Sequence, residues 1–308
     1  MDWQSNCRAT VLQMTYEIPI PKNFSFQECL WFLDRNYDDC LHEVRSDSVR
    51  KLLLIDDIPT LIEIYEEDKL LIIKVLTGKT SKNEIIEFVK EWFDINRDLT
   101  DFYQLLSLDS ELAYMNSEYK GLRLLGIPDL FEALCWSIIG QQINLTFAYK
   151  LKRKMTEAFG TKLIYENDDY YLFPSPEIVA NLQVSDLMPM QFSTRKAEYL
   201  IEIAKQFVSK NISKFKLEQV TTPEAIKALV SIRGIGEWTA NYALMKSLKR
   251  LECVTYGDVG LYNALFALKG FPKRPSREQL DLFFEKFKNW EAYTVFYLWR
   301  SLAVKTKL

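Results

Sequence analysis

The sequence predicts an α+β N-terminal domain, an antiparallel sheet with helices against it, followed by all-helical domains. Three observations carry that prediction. Apolar residues alternate with period two along much of the first hundred positions, and after Asp101 the period changes to 3.6 and stays there. The chain has 308 residues, which at ~150 per domain leaves room for two or three cores. The expected division is a sheet domain over 1–100, a helical domain built from 101–128 and 251–308, and a second helical domain over 129–250.

In chain order, Arg8–Met14 and Lys51–Ile55 read as strands, and Thr60–Tyr65 and Lys69–Val75 as a hairpin turning at Glu66-Glu67-Asp68. Between the first two, Ser25-Phe26-Gln27-Glu28 is a capping box, with Cys29, Leu30, Phe32 and Leu33 following at helical spacing. Ile85, Ile86, Val89, Trp92 and Phe93 mark another helix. Asp129 caps a helix carrying Leu130, Phe131, Leu134, Cys135, Ile138 and Ile139, which ends near Gly140. The next helix carries Ala148, Leu151, Met155 and Phe159 and stops at Gly160. Tyr165–Pro176 is polar and aromatic with two prolines and is expected to be a loop. Lys196–Val208 is helical, Thr222-Pro223-Glu224 opens a helix with proline at its first helical position, and further helices start at Glu237, Val259 and Arg277.

Composition excludes several classes. Hydrophobic residues are 48% and charged residues 26%, so the chain is neither disordered nor fibrous. Five cysteines (Cys7, Cys29, Cys40, Cys135, Cys253) with no C-x-x-C pair point to free thiols rather than a disulfide scaffold. No apolar stretch approaches the ~20 residues that cross a bilayer, and the N-terminus lacks a secretory layout, so a cytoplasmic protein without membrane contact is expected. The single histidine, His42, rules out a metal site built on two histidines and is expected to be surface or structural. Net charge is −3, but residues 1–100 hold 12 Lys/Arg against 19 Asp/Glu and the rest 27 against 23. The acidic part should face away from any polyanion, and the later part permits one.

The most informative stretch runs from Leu229 to Tyr242, with the hairpin Arg233-Gly234-Ile235-Gly236 between two helices. Gly234 and Gly236 can both take positive φ, which would expose consecutive N–H groups at the mouth of the helix beginning at Glu237. A helix N-terminus favours an anion, so the corner suits a phosphate. The alternative is a helix–turn–helix corner whose glycines serve only the bend. Farther on, Val254–Leu261 delivers one carboxylate, Asp258, at the mouth of another helix, where it is either an N-cap or a reacting group.

Together these segments resemble the helix–hairpin–helix DNA glycosylases, and within them the DNA-3-methyladenine glycosylase II family. That family's hairpin, L-x-x-x-x-G-I-G-x-x-T-A, matches Leu229–Ala240, and its characteristic Asp follows about twenty residues later; Gly236 to Asp258 is 22 residues. A second matching block runs from Gly121 to Ile143, and the likeness spans roughly Gly121 to Leu302, with the N-terminal part similar to the family's small sheet domain. Arg233 departs from the usual proline of the hairpin and places a cation beside the expected phosphate.

The resemblance implies a monofunctional DNA glycosylase that removes alkylated purines, of the 3-methyladenine and 7-methylguanine type, from double-stranded DNA by base flipping. Relatives that also nick DNA carry a lysine where this chain has Trp238, and relatives with an iron–sulfur cluster need cysteines that are missing after Cys253. Asp258 is the implied catalytic carboxylate, with Trp238, Tyr242 and Trp290 in the base pocket. Gln142 is the side chain pushed into the vacated stack, and Arg233, Gly234, Ile235 and Gly236 hold the DNA backbone. No cofactor is implied beyond a structural monovalent cation on the carbonyls of Val230, Ile232 and Ile235. Lys246, Lys249 and Arg250 are further candidates for phosphates, and a monomer is expected. Two rival readings are a non-catalytic duplex-binding module, which has no use for Asp258 and the aromatic set, and a glycosylase for oxidised bases.

Overall fold

The computed structural model describes residues 14–35 and 37–303. Five strands, β1 (Thr15–Pro19), β2 (Glu43–Val44), β3 (Ser48–Ile55), β4 (Ile58–Glu67) and β5 (Leu70–Thr77), form an antiparallel sheet in the order β1-β5-β4-β3-β2. The strand expected over Arg8–Met14 falls on residues 8–13, outside the described residues, and Met14; β1 begins one position later. Alternation sends Val49, Leu53, Ile55, Ile64 and Ile73 into the main core. Helix α1 (Phe26–Leu33), whose cap Ser25 accepts the Glu28 N–H at 3.2 Å, and α2 (Lys82–Phe93) contribute Phe26, Leu30, Val89 and Phe93 to that core.

The helical part comprises α3 (Thr100–Ser107), α4 (Met115–Glu118), α5 (Leu130–Ile139), α6 (Leu145–Phe159), α7 (Pro176–Ala180), α8 (Val184–Leu187), α9 (Thr194–Val208), α10 (Lys214–Glu218), α11 (Thr222–Val230), α12 (Glu237–Ser247), α13 (Val259–Lys269), α14 (Arg277–Glu285) and α15 (Glu291–Ser301). Helices α5, α12 and α15 are buried on nearly every side and form the centre, α12 and α15 with polar residues such as Thr239, Asn241, Lys246 and Arg300 inside as well. One apolar core runs from Tyr16 of the sheet to Leu298 of α15. No helix among the described residues is long and apolar enough to cross a membrane.

One expectation fails. The supposed loop over Tyr165–Pro176 is half of a β-hairpin, β6 (Thr161–Tyr165) with β7 (Asp168–Leu172). Its two-residue turn, Glu166-Asn167, has φ of 52° and 74°, the geometry whose twist matches paired strands. Leu163, Tyr165, Tyr170 and Leu172 alternate onto one face and cover the outer side of the sheet at Leu52, Leu61 and Leu76. Polar ties reinforce the contact: Arg50 donates to the Tyr170 hydroxyl (3.1 Å), which donates to Glu43 (2.8 Å), while Arg45 pairs with Asp168 (3.3 Å).

Candidate active site

The hairpin joins α11 to α12. Gly234 has φ 96°, and a Cβ there would lie 2.3 Å from the Tyr199 ring, so both conformation and space require glycine. Gly236 does not use its freedom: at φ −94°, ψ 175° it is extended, with open space around it. The Ile235 side chain is buried, and its N–H closes the turn on the Ile232 carbonyl (3.1 Å), so that group is unavailable to a phosphate. The donors left facing outward are those of the first turn of α12. Arg233 stands beside them, 68% exposed and paired with Glu198 at 2.7 Å. The Gln141 amide donates to the Gly234 carbonyl (3.2 Å) and the Thr239 hydroxyl (3.1 Å), tying the segment after α5 to the hairpin. Gln142, next in sequence, is exposed at the cleft rim with φ 57°.

Asp258 is both N-cap and cleft residue. Its Oδ1 accepts the Leu261 N–H (2.7 Å) and the Trp299 indole N–H (2.9 Å), and its Oδ2 accepts the Trp238 indole N–H (3.1 Å). Gly260 permits this approach, since a Cβ there would come within 3.0 Å of Asp258 Oδ1 and 3.3 Å of Trp299. The supporting loop is held through Tyr256, which donates to Asp281 (2.7 Å) beneath the Arg277 guanidinium, 3.3 Å from the ring centroid.

Asp258 opens onto a cleft of about 1100 Å³. Trp238 stacks on Tyr242 (centroids 5.3 Å apart, 21° between planes), and Tyr242 lies 6.1 Å from Trp299. The wall continues through Trp136, whose indole N–H donates to the Tyr242 hydroxyl (2.9 Å); Tyr149 packs on Trp136 with ring centroids 4.5 Å apart, and Tyr37 stacks on Tyr149 at 4.8 Å. Burial pushes the Tyr242 phenol well above its ordinary pKa, so it faces the cleft protonated. Trp238 and Tyr242 are thus brought together with Asp258, whereas Trp290 is not: it packs on Phe102 and Tyr293, each at 5.6 Å, behind the cleft. The tryptophan that α15 brings to the carboxylate is Trp299.

Three basic residues are structural rather than phosphate-facing. Lys246 is buried against the Leu125 carbonyl, Lys249 donates to the Leu124 carbonyl, and Arg250 closes on the carbonyls of Leu217, Glu218 and Val220. Burial pushes the Lys249 pKa down to about 8. The acidic N-terminal hundred residues do not turn away from the cleft; Trp31–Arg35, Tyr37, Asp39, Leu41, His42, Lys51 and Trp92 supply one side of it. Among the described residues no group of three or more His, Cys, Asp and Glu could hold a metal ion. For a monovalent cation at the hairpin, the Ile232 carbonyl keeps a lone pair beyond its bond to Ile235, and no N–H of the turn takes the Val230 carbonyl, so neutral oxygens of the right kind are free there.

Residues 22–134 match the 8-oxoguanine DNA glycosylase N-terminal domain, and residues 135–289 match a family described as HhH-GPD superfamily base excision DNA repair protein. A DNA-3-methyladenine glycosylase of Bacillus subtilis is 36% identical over 291 residues, 92% of this chain and 96% of the relative. The 3-methyladenine DNA glycosylase of Archaeoglobus fulgidus superposes with a TM-score of 0.82 at 23% identity, covering 95% of this chain and all of that one. An 8-oxoguanine glycosylase/lyase of Clostridium acetobutylicum gives a TM-score of 0.75 at 19% identity over 93% of this chain and 96% of that one, a likeness of fold.

Proposed function

The chain belongs to the HhH-GPD superfamily of base excision DNA repair proteins, and on that premise we propose that its aromatic cleft receives one nucleotide extruded from duplex DNA and that Asp258 promotes release of the base. The protein is a monofunctional DNA N-glycosylase for alkylated bases, acting in the first step of base excision repair. The observation that carries the assignment of the site is the single carboxylate held by two indole N–H groups at the mouth of a ring-lined cleft.

A purine alkylated at N3 or N7 is cationic. As its bond to C1′ breaks, the electron pair enters the ring and the base departs neutral, leaving an oxocarbenium-like sugar. Asp258 stabilises that charge, and its orientation is set before the reaction, which is where electrostatic catalysis is strongest. Three of roughly four lone-pair positions on the carboxylate are taken by Leu261, Trp238 and Trp299, so it cannot swing away, and one remains for sugar or water. Water then adds to C1′ and its displaced proton passes to solvent. Trp238, Tyr242 and Trp299 favour a cationic base over a neutral one by ~0.5–2 kcal/mol through their π faces.

Extrusion costs a few kcal/mol, and Gln142 at the rim fills the vacated stack. The first-turn N–H groups of α12, with Arg233, Gly234 and Gly236, hold the backbone phosphate, and the carbonyls of Val230, Ile232 and Ile235 would hold a monovalent cation that adds positive charge there. Trp238 has no amine to form a Schiff base, so strand cleavage does not accompany base loss. One chain supplies every wall of the cleft, as suits a monomer, and unpaired Cys29, Cys135 and Cys253 suit a reducing cytoplasm.

The test is to incubate the protein with methylated duplex DNA and identify free bases by mass spectrometry. Release of 3-methyladenine and 7-methylguanine is expected. Duplex binding without release would leave a non-catalytic module, and release of oxidised bases alone would overturn the alkylation reading.

A further inference from the structure

From Asp258 the aromatic wall runs through Trp238, Tyr242 and Trp136 and ends at an ionic group. Lys152 Nζ lies over the Trp136 ring, 5.4 Å from its centroid, 3.0 Å from Glu132 Oε1 and 3.6 Å from Asp39 Oδ2. These side chains come from α6, α5 and the segment after α1, and all line the cleft. Lys152 is 5% exposed; burial opposes its charge, but Asp39 and Glu132 outweigh that and keep it an ammonium. Glu132 Oε2 takes no hydrogen bond from any described residue, whereas the neighbouring donors are engaged: Lys51 on the Leu41 carbonyl (3.0 Å) and His42 on the Leu33 carbonyl (3.3 Å). The wall therefore ends in a fixed ammonium beside a carboxylate with one open oxygen.

Asp258, the rings and the Glu132–Lys152 pair line one cleft, so a nucleotide seated with C1′ at Asp258 and its base laid along the rings turns its far edge toward that pair. The purine atoms farthest from the glycosidic nitrogen are those of the Watson–Crick edge, at positions 1, 2 and 6. A guanine-type edge presents the acceptor O6 beside the donors N1–H and N2–H₂, which complements an ammonium followed by a carboxylate. In the same pose, with position 6 at Lys152 and position 1 at Glu132, an adenine-type edge sets its 6-amino donor against the ammonium and its N1 lone pair against the carboxylate. An edge that leaves a buried polar group unpaired is rejected far more strongly than one that differs by an apolar group.

We propose that Glu132 and Lys152 read the Watson–Crick edge of the extruded base and favour 7-alkylguanine over 3-alkyladenine. The proposal rests on the glycosylase reading of the same cleft. Its test has two arms. In the first, methylated duplex DNA is treated with wild-type protein and with Glu132→Gln, and the ratio of 7-methylguanine to 3-methyladenine released is measured. The ratio should fall at least tenfold in the variant. An unchanged ratio, including one accompanied by a lower melting temperature, would mean that Glu132 and Lys152 merely tie α5 to α6, and would overturn the proposal. The second arm needs neither catalysis nor a variant: binding of free bases to the wild-type chain is followed by quenching of its tryptophan fluorescence. 7-Methylguanine should bind at least tenfold more tightly than 7-methyladenine, which presents a 6-amino donor and the N1 acceptor in place of O6 and N1–H, and equal binding would overturn the proposal. Discrimination between the free bases with no release from DNA would instead locate the failure in the glycosylase reading.

Discussion

At Asp258 the side chain that caps α13 also faces the cleft, and its two oxygens receive three N–H donors. Replacing it with Asn keeps the cap but removes the charge. Base release by Asp258→Asn should fall ~10²–10³-fold in single-turnover assays. Affinity for duplex DNA should stay level or rise, and a variant with undiminished release would refute the assignment. Gly260→Ala presses on both Asp258 and Trp299. It should lower single-turnover release several-fold while the melting temperature moves by only a few degrees, because α13 tolerates alanine well. That Asp258, Trp238 and Tyr242 would meet was expected from the resemblance rather than from the residues alone, since a lone Asp before a helix reads equally as a cap; the structure places the three at one cleft. Trp299 and Trp136 were not legible in sequence: a helical stripe does not say which ring faces a core and which a cleft. Lys152 left a trace, a lysine inside the apolar stripe of Ala148, Leu151 and Met155.

At the scale of elements, the hairpin between α11 and α12 depends on one residue more than its motif suggests. Gly234 needs both its positive φ and the space that the Tyr199 ring occupies, whereas Gly236 needs neither. Gly234→Ala should therefore cost ~1–3 kcal/mol of stability, seen in denaturant unfolding, and weaken binding to undamaged duplex. Gly236→Ala should be nearly neutral in unfolding. The β6–β7 hairpin was missed because a polar, aromatic segment with two prolines suggested a loop. Its alternation of Leu163, Tyr165, Tyr170 and Leu172 was present, but it becomes decisive only when the sheet face it covers is known.

For the whole molecule, the α+β-then-α architecture was readable from the change of period. How the N-terminal part wraps around to wall the cleft was not, since charge asymmetry along a chain carries no direction in space. Elsewhere, the Tyr170 hydroxyl ties β7 of the helical part to the N-terminal sheet through Arg50 and Glu43. Tyr170→Phe should destabilise the protein by ~1–3 kcal/mol in chemical unfolding with base release unchanged at temperatures where it stays folded. Duplex affinity should fall steeply as salt rises, since phosphate contacts release counterions. A flat response in fluorescence anisotropy titrations would argue against backbone binding. Finally, the Gln141 amide that joins the Gly234 carbonyl to Thr239 leaves Gln142 little freedom of its own. On the roles proposed above, Gln142 and the hairpin are two ends of one short lever, and a duplex settling into the hairpin would set the depth of Gln142 between the bases in the same stroke.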